Sequence, residues 1–234
     1  MTEQDYFTRA RVVIHYDHIA VDPARNPAIK AAATLSPAQL GWMIAQYTFL
    51  TKAIVGILST AKENLSCWPE AATELERNIA EELGDGHPDR EHFTMFKRGL
   101  EDELGIAVSA AVRWPVTETF LGALTRAMSD HRPFVVAGAV YSIEATAVEE
   151  LKIVRTLIGE YARLSGNLVV RPDGLIHKFL ESHICGFEPQ HEMGLRQVVG
   201  GRLRAENDGR HFLAGCKMVM RAMDNWWAGL ATAP

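Results

Sequence analysis

The segment NIAEELGDGHPDREH, residues 78–92, places acidic and imidazole side chains on either side of a glycine-rich loop. Its first part predicts the end of a helix that carries Glu81 and Glu82, and Pro88 predicts the start of a second helix that carries His92. Two helices joined by a tight loop can bring a carboxylate and an imidazole to one point. These ligand types suit iron, manganese or zinc, so the segment predicts metal ligands on neighbouring helices.

Further candidate ligands lie downstream in predicted helical segments. Glu144 falls in the middle of a long apolar run, and His183, Glu188 and His191 lie within nine positions of one another. With the first segment they supply three carboxylates and three imidazoles, a full set for two metal ions in a helical bundle. A buried carboxylate requires a partner, so an ion pair between Glu144 and an arginine is the alternative explanation. For Glu81 and Glu82 the alternative is charge exposed to water.

The spacing of HICGFEPQH, residues 183–191, requires a local break in the helix. Glu188 and His191 are three residues apart and share a helical face, as in the Glu-x-x-His pairs of carboxylate-bridged di-iron bundles. His183 lies five residues before Glu188, which an ideal helix turns away, and Pro189 disfavours helical geometry at Glu188. We therefore predict a π-type bulge or break between Cys185 and Pro189 that returns His183 to the same site.

The remaining pattern predicts an all-α protein. Residues 3–19 read as a helix, and Ser36-Pro37-Ala38-Gln39 combines an N-cap serine, a proline at the first helical position and the glutamine of a capping box. Apolar residues then recur at steps of three and four up to Leu58. The run from Pro133 to Leu164 is apolar nearly all round at first, so we expect its first half in the centre of the bundle. No alternating stretch of useful length indicates strands.

Composition limits the class of protein. With 234 residues, 47% of them hydrophobic, the chain can bury a sizeable core, and we expect one domain over residues 1–234. A net charge of -5 without long charged blocks argues against a nucleic-acid partner. The N-terminus lacks a secretory pattern, and the longest apolar run, Pro133 to Ile143, is too short to span a bilayer, so we expect a cytoplasmic protein without a membrane partner. The three widely spaced cysteines argue against disulfides and thiolate metal sites.

The other histidines are expected to be surface or packing residues, although His87 lies in the glycine-rich loop itself. They are His15, His18, His87, His131, His177 and His211.

Four stretches of the chain together resemble one known family. NPAIKAAATLSPAQLGWMIAQYTFLTKAI, from residue 26, is similar to its opening, and NIAEELGDGHPDREH is similar to its first motif, a Glu separated by nine residues from a His. That spacing selects Glu82 and His92 over Glu81 and His87. YSIEATAVEEL, from residue 141, is similar to the second motif and contributes Glu144. HICGFEPQH is similar to the third, usually His, three residues, Asp, two residues, His.

These motifs resemble those of haem-oxygenase-like di-metal oxidases, the non-haem branch of a helical superfamily. The same superfamily contains pyrroloquinoline-quinone synthase, thiaminase II and the chlamydial CADD protein. The resemblance covers most of the chain and implies a bundle of about seven core helices. In the third motif this chain carries one extra residue and has Glu188 in place of Asp, so we expect the second metal site to be the more labile.

The resemblance also implies an activity. Two ferrous ions per subunit would be held by Glu82, His92, Glu144, His183, Glu188 and His191. The protein would use dioxygen to oxidise a small, amino-acid-derived substrate by desaturation, carbon–carbon cleavage, N-oxygenation or a nitrile-forming rearrangement, commonly in specialised metabolism. An external reductant and a homodimer are the expected partners.

Two other functions stay open from the sequence. One is a metal-independent enzyme of the same fold, similar to pyrroloquinoline-quinone synthase or thiaminase II, in which the histidines act as acid and base. The other is a non-catalytic helical interaction protein. In that case Glu144 should pair with an arginine and Glu82 should point to solvent.

Overall fold

Ten α-helices account for most of the chain in the computed structural model, which describes residues 3–19, 21–166 and 168–232. These residues contain no β-strand, so the all-α prediction is confirmed. Seven of the ten helices have ten residues or more. The helices are α1 (Glu3–Val12), α2 (Pro27–Ala32), α3 (Pro37–Asn64), α4 (Pro69–Glu82), α5 (His92–Arg98), α6 (Pro115–Met128), α7 (Pro133–Leu164), α8 (Leu175–Ser182), α9 (Glu188–Gly200) and α10 (Glu206–Thr232).

Local sequence signals set where the long helices begin. At the start of α3 the Ser36 hydroxyl accepts from the Gln39 amide at 3.3 Å, and the Ser36 amide donates to the Gln39 side chain at 3.1 Å. This is the predicted capping box, which satisfies amide groups that the first turn leaves unpaired. Prolines at the first position also open α4, α6 and α7, where the missing N–H costs nothing.

The centre of the bundle is the contact between α7 and α10. Gly138 of α7 and Gly215 of α10 permit this contact. A Cβ atom at Gly138 would lie 1.9 Å from the Phe212 carbonyl oxygen of α10, and one at Gly215 would lie 2.0 Å from the Val135 carbonyl oxygen of α7. The first half of α7 is buried almost completely, as its apolar composition predicted. Helix α3 packs against α7 and α6 and completes the walls of the interior.

Helix α3 is the one helix of the described chain that is long and apolar enough to cross a membrane by length and composition alone. However, 61% of its most apolar window is buried inside the protein. Burial by neighbouring helices is the pattern of a core helix.

Two helix predictions require correction. The helix expected over residues 3–19 is α-helical only to Val12 and continues as a π-helical turn, Val13–Asp17. Pro88 does not open the helix that carries His92, because it begins a separate 3-10 turn, Pro88–Arg90. Glu91 then adopts φ −55° and ψ 125°, which interrupts the helical path, and α5 starts at His92.

Candidate metal centre

Four segments of the chain bring acidic and imidazole side chains to the interior of the bundle. The C-terminal end of α4 carries Glu81 and Glu82, and the first residue of α5 is His92. The central part of α7 carries Glu144. The remaining candidates come from the junction of α8 and α9. The glycine-rich loop that joins α4 to α5 turns through residues with positive φ, and a Cβ at Gly84 would lie 2.5 Å from the His87 carbonyl oxygen.

The first group of converging donors, here called site A, consists of Glu82, His92 and His183. His92 Nδ1 lies 3.1 Å from a Glu82 carboxylate oxygen and 2.9 Å from His183 Nε2. The two histidines are buried, and the Glu82 side chain is 12% exposed. Three donor atoms from three separate helical segments therefore lie within 4.8 Å of one another.

The orientation of His183 directs its Nε2 atom toward the other donors of site A. Its Nδ1 lies 2.7 Å from the Phe179 carbonyl oxygen, which can only accept, so Nδ1 carries the proton. Burial, followed by the nearby His92, lowers the pKa of His183 to about 4. A neutral imidazole whose other nitrogen donates to a carbonyl is the usual state of a metal-binding histidine.

The second group, here called site B, consists of Glu144, Glu188 and His191. His191 Nδ1 lies 3.2 Å from a Glu144 oxygen and 3.8 Å from a Glu188 oxygen, and all three residues are buried. Burial raises the pKa of Glu188, and the charges of Glu144 and Glu82 add to this rise. For His191, burial opposes the charged ring, but hydrogen bonds and charges from Glu144 and Glu188 outweigh it and raise the pKa to about 11.

Glu81 contacts the opposite side of the His191 ring. Its carboxylate lies 2.8 Å from His191 Nε2, and its side chain is 17% exposed. Glu81 therefore occupies the place that an outer carboxylate takes when it orients a metal-binding histidine. The motif spacing selected Glu82 over Glu81 as the ligand, and the structure places Glu82 in site A and Glu81 behind site B.

The donor sets of both sites fit divalent metal ions. Two donors that each lie about 2.1 Å from one ion are about 3 Å apart when they bind at a right angle. The contacts in site A, at 2.9 and 3.1 Å, match this separation, and in each site one donor atom per residue lies within 4.8 Å of the others. Mixed carboxylate and imidazole ligands suit iron, manganese and zinc. Buried carboxylates in this number also require nearby positive charge.

A π-helical turn, His183–Phe187, joins α8 to α9 and sets the relative positions of His183 and Glu188. The sequence predicted such a defect between Cys185 and Pro189, and the turn begins two residues earlier than that. Contrary to the sequence prediction, the turn does not return His183 to the site of Glu188 and His191. His183 lies in site A, whereas Glu188 and His191 lie in site B.

A partly open cavity of about 610 Å³, a volume that includes space open to solvent, adjoins both sites. Glu82 and His183 of site A and Glu144 and Glu188 of site B contribute to its wall. The rest of the wall is largely apolar and aromatic, with side chains from α3, α6, α7, α8 and α10. Among the described residues that line it there is no lysine or arginine. A mostly apolar lining with a few polar groups is typical of small-molecule pockets, and this cavity lies beside the two donor groups.

Sequence reasoning missed three polar residues of this cavity, Glu150, Tyr47 and Thr51. Glu150 lies six positions after Glu144 on the side of α7 that also carries Ala147 and Leu151, and this helical spacing was the available signal. Tyr47 had no such signal, because it belongs to a regular apolar stripe on α3. His87, by contrast, is exposed, as expected of a surface residue.

Comparison with known proteins places the chain in a family. The family described as a domain of unknown function with a solved structure, DUF3865, matches residues 6–233. A search of curated proteins finds no match.

Solved structures extend this comparison. A CADD-like protein of unknown function from Nostoc punctiforme is similar over 98% of this chain and 96% of its own, with 26% identity and a TM-score of 0.88. A TenA homolog from Pseudomonas syringae is similar over 99% and 91%, with 13% identity and a TM-score of 0.68. A Shewanella denitrificans domain with a haem-oxygenase-like fold is similar over 96% and 90%, with 15% identity and a TM-score of 0.63. The chain thus has the haem-oxygenase-like fold and belongs to the DUF3865 family.

Proposed function

We propose that this protein is a non-haem di-iron oxidase that uses dioxygen to oxidise a small, amino-acid-derived substrate. The observation that carries the proposal is the convergence of two buried groups of carboxylates and imidazoles on the wall of one cavity. Glu82, His92 and His183 would hold one ferrous ion, and Glu144, Glu188 and His191 would hold the other. Bound there, the ions would supply electrons and open coordination positions for dioxygen activation.

The protein's own groups prepare this chemistry in two ways. His183 is held neutral with Nε2 available, whereas His191 must release a proton from Nδ1 before that atom can bind a cation. The apolar wall, to which Leu50, Ile54 and Met223 contribute, excludes water from the reacting centre and protects the substrate from side reactions. An external reductant is needed wherever the substrate does not supply all the electrons that reduce dioxygen to water.

The contacts of Glu144 and Glu82 support this proposal over a non-catalytic interaction protein. That alternative requires an arginine beside Glu144 and a solvent-facing Glu82. Instead, Glu144 contacts His191, and the Glu82 side chain contacts His92 with only 12% of its surface exposed. The metal content of the protein distinguishes the proposed oxidase from a metal-independent enzyme of the same fold.

The decisive experiment measures iron stoichiometry after anaerobic reconstitution with ferrous iron. Wild type should bind two ions per chain, and His92→Ala and Glu144→Ala should each lose one site because each removes one of three converging donors. His87→Ala is the matched control, since His87 lies in the same loop region but is exposed. Far-ultraviolet circular dichroism should show unchanged helical content in all variants.

Two outcomes would refute the di-iron assignment. One is a wild-type protein that binds no iron under these conditions, which is the expected behaviour of a metal-independent enzyme. The other is unchanged iron stoichiometry in both alanine variants. For a reconstituted protein, exposure to oxygen with and without a panel of amino acids should produce a substrate-dependent absorbance transient, and sedimentation should test the expected homodimer.

A further inference from the structure

Glu150 is a buried carboxylate that neither site A nor site B uses. It is 2% exposed, yet it contributes to the cavity wall. Trp227 Nε1 donates to one of its oxygens at 2.9 Å, and this is its only hydrogen bond among the described residues. The second carboxylate oxygen is therefore available to a molecule in the cavity.

The surroundings of Glu150 leave its negative charge uncompensated. No lysine or arginine among the described residues lines the cavity. Burial raises the pKa of the Glu150 carboxyl to about 7, and the hydrogen bond from Trp227 only partly opposes that rise. Two ferrous ions in sites A and B would carry four positive charges, which the carboxylates of Glu82, Glu144 and Glu188 in those sites, together with Glu81 beside His191, would balance. A carboxylate buried without a cation is costly, so the cavity favours a positively charged group next to Glu150.

Glu150 lies at a distance from the candidate metal ligands. Glu150 is six positions after Glu144, a rise of about 9 Å along the axis of α7. Tyr47 also lines the cavity, and its pKa is raised by burial and then by the charges of Glu150, Glu188 and Glu82. An aromatic ring beside a carboxylate is a favourable environment for an ammonium group.

We propose that Glu150 binds the ammonium group of an organic amine and directs the remainder of that molecule toward sites A and B. That this amine is the substrate rests on the proposed function. Its binding by Glu150 does not depend on that function. The carboxylate would accept a charge-assisted hydrogen bond from the ammonium, and the apolar wall would cover the carbon skeleton. Glu150 thereby selects amines over alcohols and acids of the same length.

The test compares the binding of n-hexylamine, 1-hexanol and hexanoate by isothermal titration calorimetry at moderate ionic strength. Wild type should bind hexylamine more tightly than the two other probes. Glu150→Gln keeps the size of the side chain and an oxygen for Trp227, and it should weaken hexylamine binding by about tenfold to 100-fold. Glu149→Gln is the matched control, because Glu149 is the neighbouring residue but pairs with Lys152 on the partly exposed side of α7.

Two results would overturn the inference. One is binding of 1-hexanol to wild type as tightly as hexylamine, and the other is binding of hexylamine to Glu150→Gln with the affinity of wild type. The comparison of probes on wild type needs no variant, so it holds even if Glu150→Gln folds poorly. Titrations with metal-free and iron-loaded protein separate the two proposals. Glu150-dependent amine binding without iron binding would refute the di-iron oxidase alone, and two bound irons without amine selectivity would refute only the role of Glu150.

Discussion

Replacing Glu150 by glutamine should stabilise the metal-free protein relative to wild type, increasingly so as the pH rises. Burial raises the pKa of this carboxyl to about 7 in the folded protein, from an ordinary value of 4.5. Between these values the folded state keeps a proton that the unfolded state has released. The folded state thus binds more protons, and the free energy of unfolding of wild type falls as the pH rises through this window.

The difference between the two pKa values sets the size of the effect. It corresponds to about 3 kcal/mol over the whole titration, most of it between about pH 5 and about pH 8. Glutamine carries no titratable proton and preserves the acceptor for Trp227, so its own stability lacks this dependence. The gap between variant and wild type should therefore widen by about 2 to 3 kcal/mol across that range.

Urea unfolding followed by circular dichroism at several pH values measures this gap directly. Glu149→Gln serves as the control, because Glu149 is partly exposed and should show a nearly constant difference from wild type. A stability difference between Glu150→Gln and wild type that stayed constant from about pH 5 to about pH 8 would show that burial does not perturb Glu150. The physical basis for an ammonium partner would then be lost.

Three further substitutions test the packing and the candidate metal centre. Gly138→Ala should cost about 3 kcal/mol in urea unfolding, because its new Cβ would lie 1.9 Å from the Phe212 carbonyl oxygen. Gln46→Leu should cost about 3 kcal/mol, since it removes three hydrogen bonds to the start of α6 and the loop before it. Glu81→Ala should weaken iron binding in a chelator competition by about tenfold or more, because His191 loses the carboxylate that orients its ring.

Matched controls distinguish these effects from general damage. Gly159→Ala lies on the same helix as Gly138 but meets open space, so it should be neutral or stabilising by up to about 1 kcal/mol. Glu76→Ala removes a surface carboxylate of α4 and should leave iron affinity unchanged. Equal losses of stability in both glycine variants, or equal iron affinity in Glu81→Ala and Glu76→Ala, would contradict the structural reasons given.

The sequence was most informative where local chemistry determines the structure. The capping box at Ser36 and Gln39 predicted the start of α3, and the nearly all-round apolar character of the first part of Pro133–Leu164 predicted that the first half of α7 is buried. Both features depend on residues that are neighbours along the chain. The 3-10 turn at Pro88 escaped prediction because proline is equally compatible with the first turn of either helix type.

The candidate site was predictable only in its list of side chains. The motifs select Glu82 and His92, but no local pattern shows that His191 lies between Glu144 on one side and Glu81 on the other. These contacts join residues far apart in the chain and depend on how α4, α7 and α9 pack. The binding of iron by these residues stays a prediction, which the iron titration tests.

The π-helical turn at His183–Phe187 has a consequence for how this chain tolerates a change of length. A turn of this kind accommodates one inserted residue inside a helix without displacing what precedes or follows it. The third motif carries one residue more than the pattern of the di-metal oxidases that it resembles, and a π-helical turn can absorb such an insertion while both flanking helices keep their packing against the bundle. Deleting Gly186 should therefore convert the bulge into ordinary helix and shorten the spacing between the two histidines, leaving the rest of the fold in register.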